Sequence, residues 1–211
     1  MLVLESEKII RCSLRGKFKK EFHLKKDKLY YLDIAVIGDR VNFNLNNDNT
    51  GVITKIHERI NYLSRKAPRT KGSGKRGERL EQIIGANIDN FFIVTSVAEP
   101  KFNNKVVDRL LVTGESSNLN NKIILNKIDL RFDNKLEYWI KLYSDIGYDV
   151  IQSSTIRKEG IEKIKVLCKG KKNIFWGQSG VGKSSILNTM FSSVNLEVGK
   201  ISPFSGKGIR S

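Results

Sequence analysis

Cysteine is scarce in this 211-residue chain, which contains only Cys12 and Cys168. The two lie far apart and fit no C-x-x-C spacing, so the sequence excludes a disulfide-rich fold and a cysteine-based metal motif. We expect two buried free thiols in a reducing cytoplasm. Long apolar runs are also lacking, because none approaches the roughly 18 residues of a membrane span and the first residues do not form a signal peptide. The sequence therefore predicts a cytoplasmic protein that does not enter the membrane.

Acidic residues are few relative to basic ones: 22 Asp and Glu stand against 38 Lys and Arg, a formal net charge of +16. Such an excess favours a polyanionic partner through phosphate contacts and counterion release. Between residues 64 and 79, seven basic residues are interrupted by glycines and accompanied by one acid, which predicts a mobile cationic linker. A genome that favours lysine codons is the alternative explanation. The candidate RNA-binding residues are Arg65, Lys66, Arg69, Lys71, Lys75 and Arg76.

A glycine-rich loop late in the chain carries the strongest chemical signal. Gly177, Gly182, Lys183 and Ser184 occupy the fixed positions of G-x-x-x-x-G-K-S, between a predicted strand and a predicted helix. In such a loop, backbone N–H groups and the helix N-terminus bind phosphate. Lys183 would reach the β- and γ-phosphates, and the Ser184 hydroxyl would ligate Mg²⁺. The predicted phosphate-binding residues are Gly177, Gln178, Ser179, Gly180, Val181, Gly182, Lys183, Ser184 and Ser185.

A second motif, N-K-I-D, follows the apolar run of residues 122–125, which predicts a strand. P-loop GTPases read guanine with this motif. The carboxylate of Asp129 would accept hydrogen bonds from the ring N–H and the exocyclic amine, a pair of donors that adenine does not offer. Asn126 would contact the purine edge, and the stem of Lys127 would pack on the base. The P-loop precedes N-K-x-D in an ordinary GTPase and follows it here, so one site built from both requires a circularly permuted domain.

The remaining sequence divides into two regions. Residues 1–62 predict a small β-barrel. Apolar and β-branched runs lie at 9–14 and 29–37, polarity alternates at 40–45 and in part at 51–56, and a turn signal separates the last two. This pattern fits an OB-fold or an SH3-like barrel. From residue 85 onwards, predicted strands and helices alternate, which is typical of a parallel sheet with helices on both faces. Ligands bind such sheets beyond the carboxyl ends of the strands, where both motifs fall.

The chain resembles, over nearly its whole length, the ribosome-small-subunit-dependent GTPases, a circularly permuted family with an N-terminal OB-fold. The matching segments, in family order, are G-D-R-V at 38–41, R-x-N-x-L-x-R at 59–65, A-N-I-D at 86–89, D-R at 108–109, N-K-I-D at 126–129, S-S at 153–154, the glycine-rich loop at 177–185 and S-G-K-G at 205–208. The resemblance implies an OB-fold barrel at 1–62, a basic linker at 63–84 and a circularly permuted α/β P-loop GTPase domain at 85–211.

The resemblance also implies a function. The family hydrolyses GTP on the small (30S) ribosomal subunit during late maturation, with Mg²⁺ as cofactor. The barrel and the basic linker would contact 16S rRNA. Ser153 and Ser154 match the third base-contacting loop, in which a backbone N–H meets the guanine oxygen. We expect a monomer. The full-length family binds zinc in a C-terminal domain, and we expect no zinc in this chain.

The sequence lacks two elements that a GTPase needs: a D-x-x-G loop that senses the γ-phosphate and a switch threonine that completes the Mg²⁺ shell. The one D-x-x-G string, at 48–51, falls in a predicted barrel turn, so we expect no γ-phosphate sensor there. The sequence stops at Ser211, within the family's switch segment, so we expect an incomplete GTPase domain, from a fragment or a degraded gene, and assign no catalytic base. One alternative is a nucleotide- and rRNA-binding module without turnover. Another is an ATP-using P-loop enzyme, against which Asp129 argues.

Overall fold

The computed structural model describes residues 1–5, 8–16, 18, 34–66, 81–130 and 134–191. Contacts between Cα atoms divide the chain into two compact units, the first covering Met1–Asn87 and the second beginning at Ile88. The segment predicted as a basic linker, 63–84, therefore falls within the first unit. Most of the strand predicted over 29–37 lies outside the described residues, and residues 34–37 form no strand.

The larger sheet of the first unit has four strands in the order β1–β2–β4–β3. The strands are β1 (Leu2–Glu5), β2 (Lys8–Leu14), β3 (Val41–Leu45) and β4 (Gly51–Ile56). β1 pairs antiparallel with β2, and β3 pairs antiparallel with β4, whereas β2 and β4 pair parallel. The carboxylate of Asp48 accepts hydrogen bonds from the N–H and hydroxyl of Thr50. The D-x-x-G string therefore forms the turn between β3 and β4, as predicted.

A second, two-stranded sheet joins β5 (Tyr62–Lys66) to β6 (Glu81–Ala86) in antiparallel register. We predicted no strand in either segment, nor in β1. These segments lack the regular alternation that marks a half-buried strand, and β5 is rich in polar residues. Pairing with a distant partner determines their conformation, so local pattern missed it.

Three residues of the family-matching segments hold the first unit together. The carboxylate of Asp39 forms an ion pair with the guanidinium of Arg59 at 2.7 Å, and the Asp39 side chain is almost completely buried. The amide of Asn87 donates to the carbonyl of Gly38, and its oxygen accepts from the N–H of Ile60, both at 3.0 Å. These matches are therefore explained by packing and hydrogen bonding rather than by ligand chemistry.

The second unit is built on a parallel sheet with the order β10–β7–β8–β9. Its strands are β7 (Asn90–Ser96), β8 (Asn121–Asn126), β9 (Asp149–Gln152) and β10 (Asn173–Trp176). Its helices are α1 (Asn104–Ser116), α2 (Asn134–Asp145), α3 (Ile161–Cys168) and α4 (Lys183–Met190). Strands and helices alternate from Asn90 to Met190, as the sequence predicted for this region. No helix in the described ranges is long and apolar enough to cross a membrane.

Both faces of this sheet are covered. Every residue of β7 and β8 is buried, as expected for central strands of a parallel sheet. On one face, Phe92, Ile124 and Ile151 pack in a core cluster with residues of α3 and α4. On the other face, Leu125 packs with Leu136 of α2 in a second cluster. This alternation places α3 and α4 on one side of the sheet and α2 on the other.

The order of strands shows what the reversed motif order means in space. β7, β8 and β9 follow one another across the sheet, and β10, the last described strand, returns to pair with β7. β10, which carries the glycine-rich loop, is therefore the first strand in space although it is the last described strand in sequence.

Both cysteines are buried and free, which confirms that prediction, and burial raises the pKa of the Cys168 thiol to about 11.

Candidate nucleotide-binding site

The two motifs lie at the same edge of the second sheet. The glycine-rich loop leaves the carboxyl end of β10, and N-K-I-D leaves the carboxyl end of β8. β7 separates these two strands, and because all the strands are parallel their carboxyl ends share one edge. The loops are therefore neighbours in space although N-K-I-D ends at residue 129 and the glycine-rich loop begins only at residue 177.

Two glycines of the loop are required by close contacts. A Cβ at Gly177 would lie 2.0 Å from the carbonyl oxygen of Val94, so the loop can leave β10 against β7 only without a side chain. Gly182 precedes α4 with φ +96°, a conformation that favours glycine, and a Cβ there would lie 2.2 Å from Nδ2 of Asn126. The loop therefore packs directly against the carboxyl ends of β7 and β8.

Lys183, the first residue of α4, turns its amine back toward the loop. Its Nζ donates to the carbonyl oxygens of Gly177 at 3.0 Å and Gln178 at 2.7 Å. Burial lowers the pKa of this lysine. The ammonium is thus held at the mouth of the loop and partly stripped of water, where an anion would stabilise it.

Ser184 lies in the first turn of α4 and is half-buried. Among the described residues, its hydroxyl has no hydrogen-bond partner, so a lone pair is available to a cation. One protein oxygen beside a phosphate-binding loop fits Mg²⁺, which keeps most of its waters and takes its other ligands from phosphates. Within the described ranges, no group of three or more His, Cys, Asp or Glu side chains is arranged to hold a metal.

Asn126 joins the two motifs. Its amide Nδ2 donates to the carbonyl oxygen of Val181 in the glycine-rich loop at 2.9 Å, and its Oδ1 accepts from the hydroxyl of Ser153 at 3.2 Å. All three residues are buried. The Asn126 side chain therefore connects the N-K-I-D motif to both the glycine-rich loop and the Ser153–Ser154 pair, so the three segments form one site.

Asp129 is held by the second serine. The Ser154 hydroxyl donates to Asp129 Oδ1 at 2.5 Å and accepts from the N–H of Arg157 at 3.1 Å. The backbone N–H of Ser153 donates to Leu125, and that of Ser154 to Glu159. The two serine side chains therefore hold Asn126 and Asp129 of the N-K-I-D motif. The resemblance predicted that a backbone N–H of this pair contacts guanine, but both N–H groups already have protein acceptors.

Lys127 has the left-handed φ of +63°, which non-glycine residues rarely adopt. Its amine donates to the carbonyl oxygen of Glu99, in the turn after β7. Burial lowers the pKa of Lys127, and the negative charges of Glu99 and Asp129 partly offset that shift. Glu99 was not predicted as a site residue; the available signal was its position after a strand that ends at the same sheet edge.

Most of the candidate RNA-binding residues are outside the described part of the chain: Arg69, Lys71, Lys75 and Arg76. Arg65 and Lys66 lie in β5. Nε and Nη2 of Arg65 donate to Oε1 of Gln82 in β6, at 3.0 and 2.9 Å, and Arg65 is exposed. The structure thus places one of these guanidinium groups on the surface of the first unit.

Comparison with known families finds two matches along the chain. The RsgA N-terminal domain matches residues 2–53, and the RsgA GTPase family matches residues 56–210. The chain is 35% identical over 209 residues to the small ribosomal subunit biogenesis GTPase RsgA of Geobacillus sp., covering 98% of this chain and 62% of that protein. It is 28% identical over 210 residues to the protein of the same name from Bacteroides fragilis, covering 98% of this chain and 64% of that protein. The chain therefore spans less than two thirds of the length of these relatives.

Two solved structures resemble the fold. YjeQ from Thermotoga maritima superposes with a TM-score of 0.67 at 27% identity, covering 98% of this chain and 70% of the other. YloQ, a circularly permuted GTPase, gives 0.64 at 29% identity, covering 98% and 64%. These likenesses confirm the predicted architecture, an N-terminal OB-type domain followed by a circularly permuted α/β GTPase domain.

Proposed function

The chain belongs to the RsgA GTPase family, and on that premise we propose that it binds guanine nucleotide and hydrolyses GTP on the small ribosomal subunit. We place this activity in the cytoplasm, in late subunit maturation, with the protein acting as a monomer. The observation that carries the proposal is the hydrogen bond from Asn126 to Val181. It joins a phosphate-binding loop to a guanine-reading loop, and the two functions are useful together only when one nucleotide spans both.

In the proposed complex, the glycine-rich loop, residues 177–185, surrounds the β- and γ-phosphates with backbone N–H groups. Lys183 exchanges its two carbonyl acceptors for phosphate oxygens, a charge-assisted contact that its partial desolvation strengthens. Ser184 would hold Mg²⁺, which when bound would supply positive charge beside the phosphates. Attack by water and protonation of the leaving group involve residues that we do not assign.

The base would be read by Asp129, whose carboxylate accepts from the two N–H donors on the guanine edge. The hydroxyl of Ser154 restrains this carboxylate. Because the N–H groups of Ser153 and Ser154 have protein acceptors, we assign the contact with the guanine oxygen to the next residue, Thr155. Among the described residues, the Thr155 N–H has no acceptor. Lys127 would cover the face of the base.

RNA contact is proposed for the first unit. The net charge of +16 supports a polyanionic partner. A factor that acts on the small ribosomal subunit would meet rRNA as that polyanion. Arg65 is exposed, and the bonds to Gln82 use two of its five N–H donors, which leaves three for phosphate. With Lys66 and the basic residues from 69 to 76, it would bind 16S rRNA.

The test combines nucleotide binding with turnover. Labelled GDP is titrated into the chain, competed with GTP and ATP, and GTP hydrolysis is measured with and without purified small subunits. Lys183→Ala is expected to weaken GDP binding at least roughly 10- to 100-fold, because it removes a charged hydrogen-bond donor. Lys141→Ala, which loses only an exposed ion pair with Asp145, is the matched control and should bind like the unmodified chain.

The outcomes separate the candidate functions. Binding that GTP but not ATP displaces, with turnover stimulated by small subunits, would support the whole proposal. Binding without turnover would support a nucleotide- and RNA-binding module instead. Equal competition by ATP, or unchanged binding by Lys183→Ala, would contradict the assignment of the guanine site and the phosphate loop respectively.

A further inference from the structure

The turn that follows β7 lies between the two nucleotide-binding motifs. β7 is flanked by β10, which carries the glycine-rich loop, and by β8, which carries N-K-I-D. The N–H of Val97 donates to the carbonyl oxygen of Asn126 at 3.0 Å, so this turn, Ser96 to Pro100, is attached to the base-reading loop. It has no role in the site as described so far, apart from the contact of Glu99 with Lys127.

A buried hydroxyl closes this turn. Ser96 is the last residue of β7 and is 1% exposed, and its Oγ donates to the carbonyl oxygen of Pro100 at 2.7 Å. A hydroxyl that is so completely buried needs its partner, since an unpaired polar group would cost free energy. The hydrogen bond therefore constrains the three residues between Ser96 and Pro100.

The constrained turn holds a residue in an unfavourable conformation. Glu99 has φ +54°, a conformation that non-glycine residues rarely adopt and that persists only where the surrounding structure imposes it. Its carbonyl oxygen accepts the amine of Lys127, which is itself at φ +63°. Two left-handed non-glycine residues thus meet at one hydrogen bond, beside the place proposed for the base.

Lys127 has a second reason to stay in this position. Its ammonium is partly desolvated, and the carboxylates of Glu99 and Asp129 both favour its charged form. Loss of the carbonyl acceptor would leave a half-buried ammonium short of one partner, so the side chain would move toward water. The turn therefore determines where the lysine stem lies.

We propose that Ser96 is a positioning residue of the guanine site: by closing the turn it places the Glu99 carbonyl against Lys127, and so fixes the lysine stem that covers the base. This inference rests on the proposed function, because it requires guanine nucleotide at this edge of the sheet. Ser96 itself does not touch the nucleotide. Its effect passes through Lys127.

The test is a double-mutant cycle on the full chain, measured as the affinity for labelled GDP. Ser96→Ala should weaken binding about three- to tenfold, the range expected for the loss of one ordered hydrogen bond. Lys127→Met, which keeps an apolar stem and removes the amine, should also weaken binding. Added to Lys127→Met, Ser96→Ala should cause no further loss, because the two act as a unit.

Two further variants keep the test decisive. Ser96→Cys retains nearly the side-chain volume with a weak donor, so it should reproduce the pattern if Ser96→Ala does not fold. Ser144→Ala, which removes a hydroxyl bonded to the Ile140 carbonyl at 2.9 Å on α2, is the matched control and should leave GDP affinity unchanged. Urea unfolding of each variant confirms that it is folded at the temperature of the titration.

Equal losses in the unmodified and Lys127→Met backgrounds would overturn the proposal, because the effect would then bypass the lysine. Unchanged affinity of both Ser96 variants would overturn it as well, while the proposed function would stand. Absence of GDP binding by the unmodified chain would instead refute the proposed function and, with it, this inference.

Discussion

Replacing Asn126 by alanine removes the side chain that joins the three loops of the site. The asparagine is 1% exposed, and both of its hydrogen bonds, to Val181 and from Ser153, lie in the interior. The change should therefore affect both the stability of the second unit and the affinity for nucleotide.

The magnitude follows from the groups left behind. Each hydrogen bond has a net value of about 1 kcal/mol, and each buried partner left unpaired costs roughly 1–3 kcal/mol, so the unfolding free energy should fall by about 3 kcal/mol. Ser153→Ala removes only one of the two bonds and should cost about 1 kcal/mol. GDP affinity of Asn126→Ala should fall at least about tenfold, because the phosphate loop loses its support.

The assay uses the two tryptophans of the chain, Trp139 and Trp176, which both belong to the second unit. Their fluorescence during urea unfolding therefore reports on the second unit separately from the first. The free energy of unfolding can then be taken from a single cooperative transition. Ser144→Ala is the matched control. Ser144 is exposed on α2 and its hydroxyl donates only to the carbonyl oxygen of Ile140, so its replacement should cost about 0.5 kcal/mol or less.

A change below about 0.5 kcal/mol for Asn126→Ala, together with unchanged GDP affinity, would refute the reasoning. It would mean that the hydrogen bonds do not hold the loops together in solution. A large loss of stability with normal affinity per folded molecule would also contradict it, because the asparagine would then support the fold and not the site.

Two further predictions concern charged groups of the second unit. Asp129→Asn should weaken GDP binding at least about 100-fold and favour xanthosine diphosphate, whose base presents an acceptor where guanine presents its amine. Competition with labelled GDP measures both effects. An unchanged preference would mean that the carboxylate does not read the base. The hydrogen bond from Lys122 to Asp149 lowers the pKa of that carboxyl, so its stabilisation is present at neutral pH and is lost as the pH falls through the lowered pKa. Asp149→Asn should therefore be less stable than the unmodified chain at pH 7, and urea unfolding in acid should show this difference shrink; a difference independent of pH would contradict the linkage.

Local pattern was enough for the parts of this protein whose conformation depends on near neighbours. The glycine-rich loop was predictable because glycine, lysine and serine at fixed spacing between a strand and a helix leave few other conformations. The strands and helices after residue 91 were predictable because apolar residues recur with the period of each element. The reversed order of the two motifs was enough to predict the circular permutation.

Pairing between distant segments was not predictable in this way. β5 and β6 are strands because they pair with each other across residues 67–80, and their own residues carry weak strand signals. The Ser-Ser pair was expected to offer a backbone N–H to the base. Instead, pairing with Leu125 and Glu159 occupies both N–H groups, and the side chains hold Asn126 and Asp129.

The sequence by itself determined which residues we propose for phosphate and base binding, because that chemistry depends on residue type and short spacing. Only the tertiary structure decided how they cooperate. Asn126 meets Val181 across 55 positions, and the turn closed by Ser96 meets Lys127 from the neighbouring strand. Parallel strands bring their carboxyl ends to one edge whatever their distance in sequence, and hydrogen bonds made there depend on strand order, which no local pattern records.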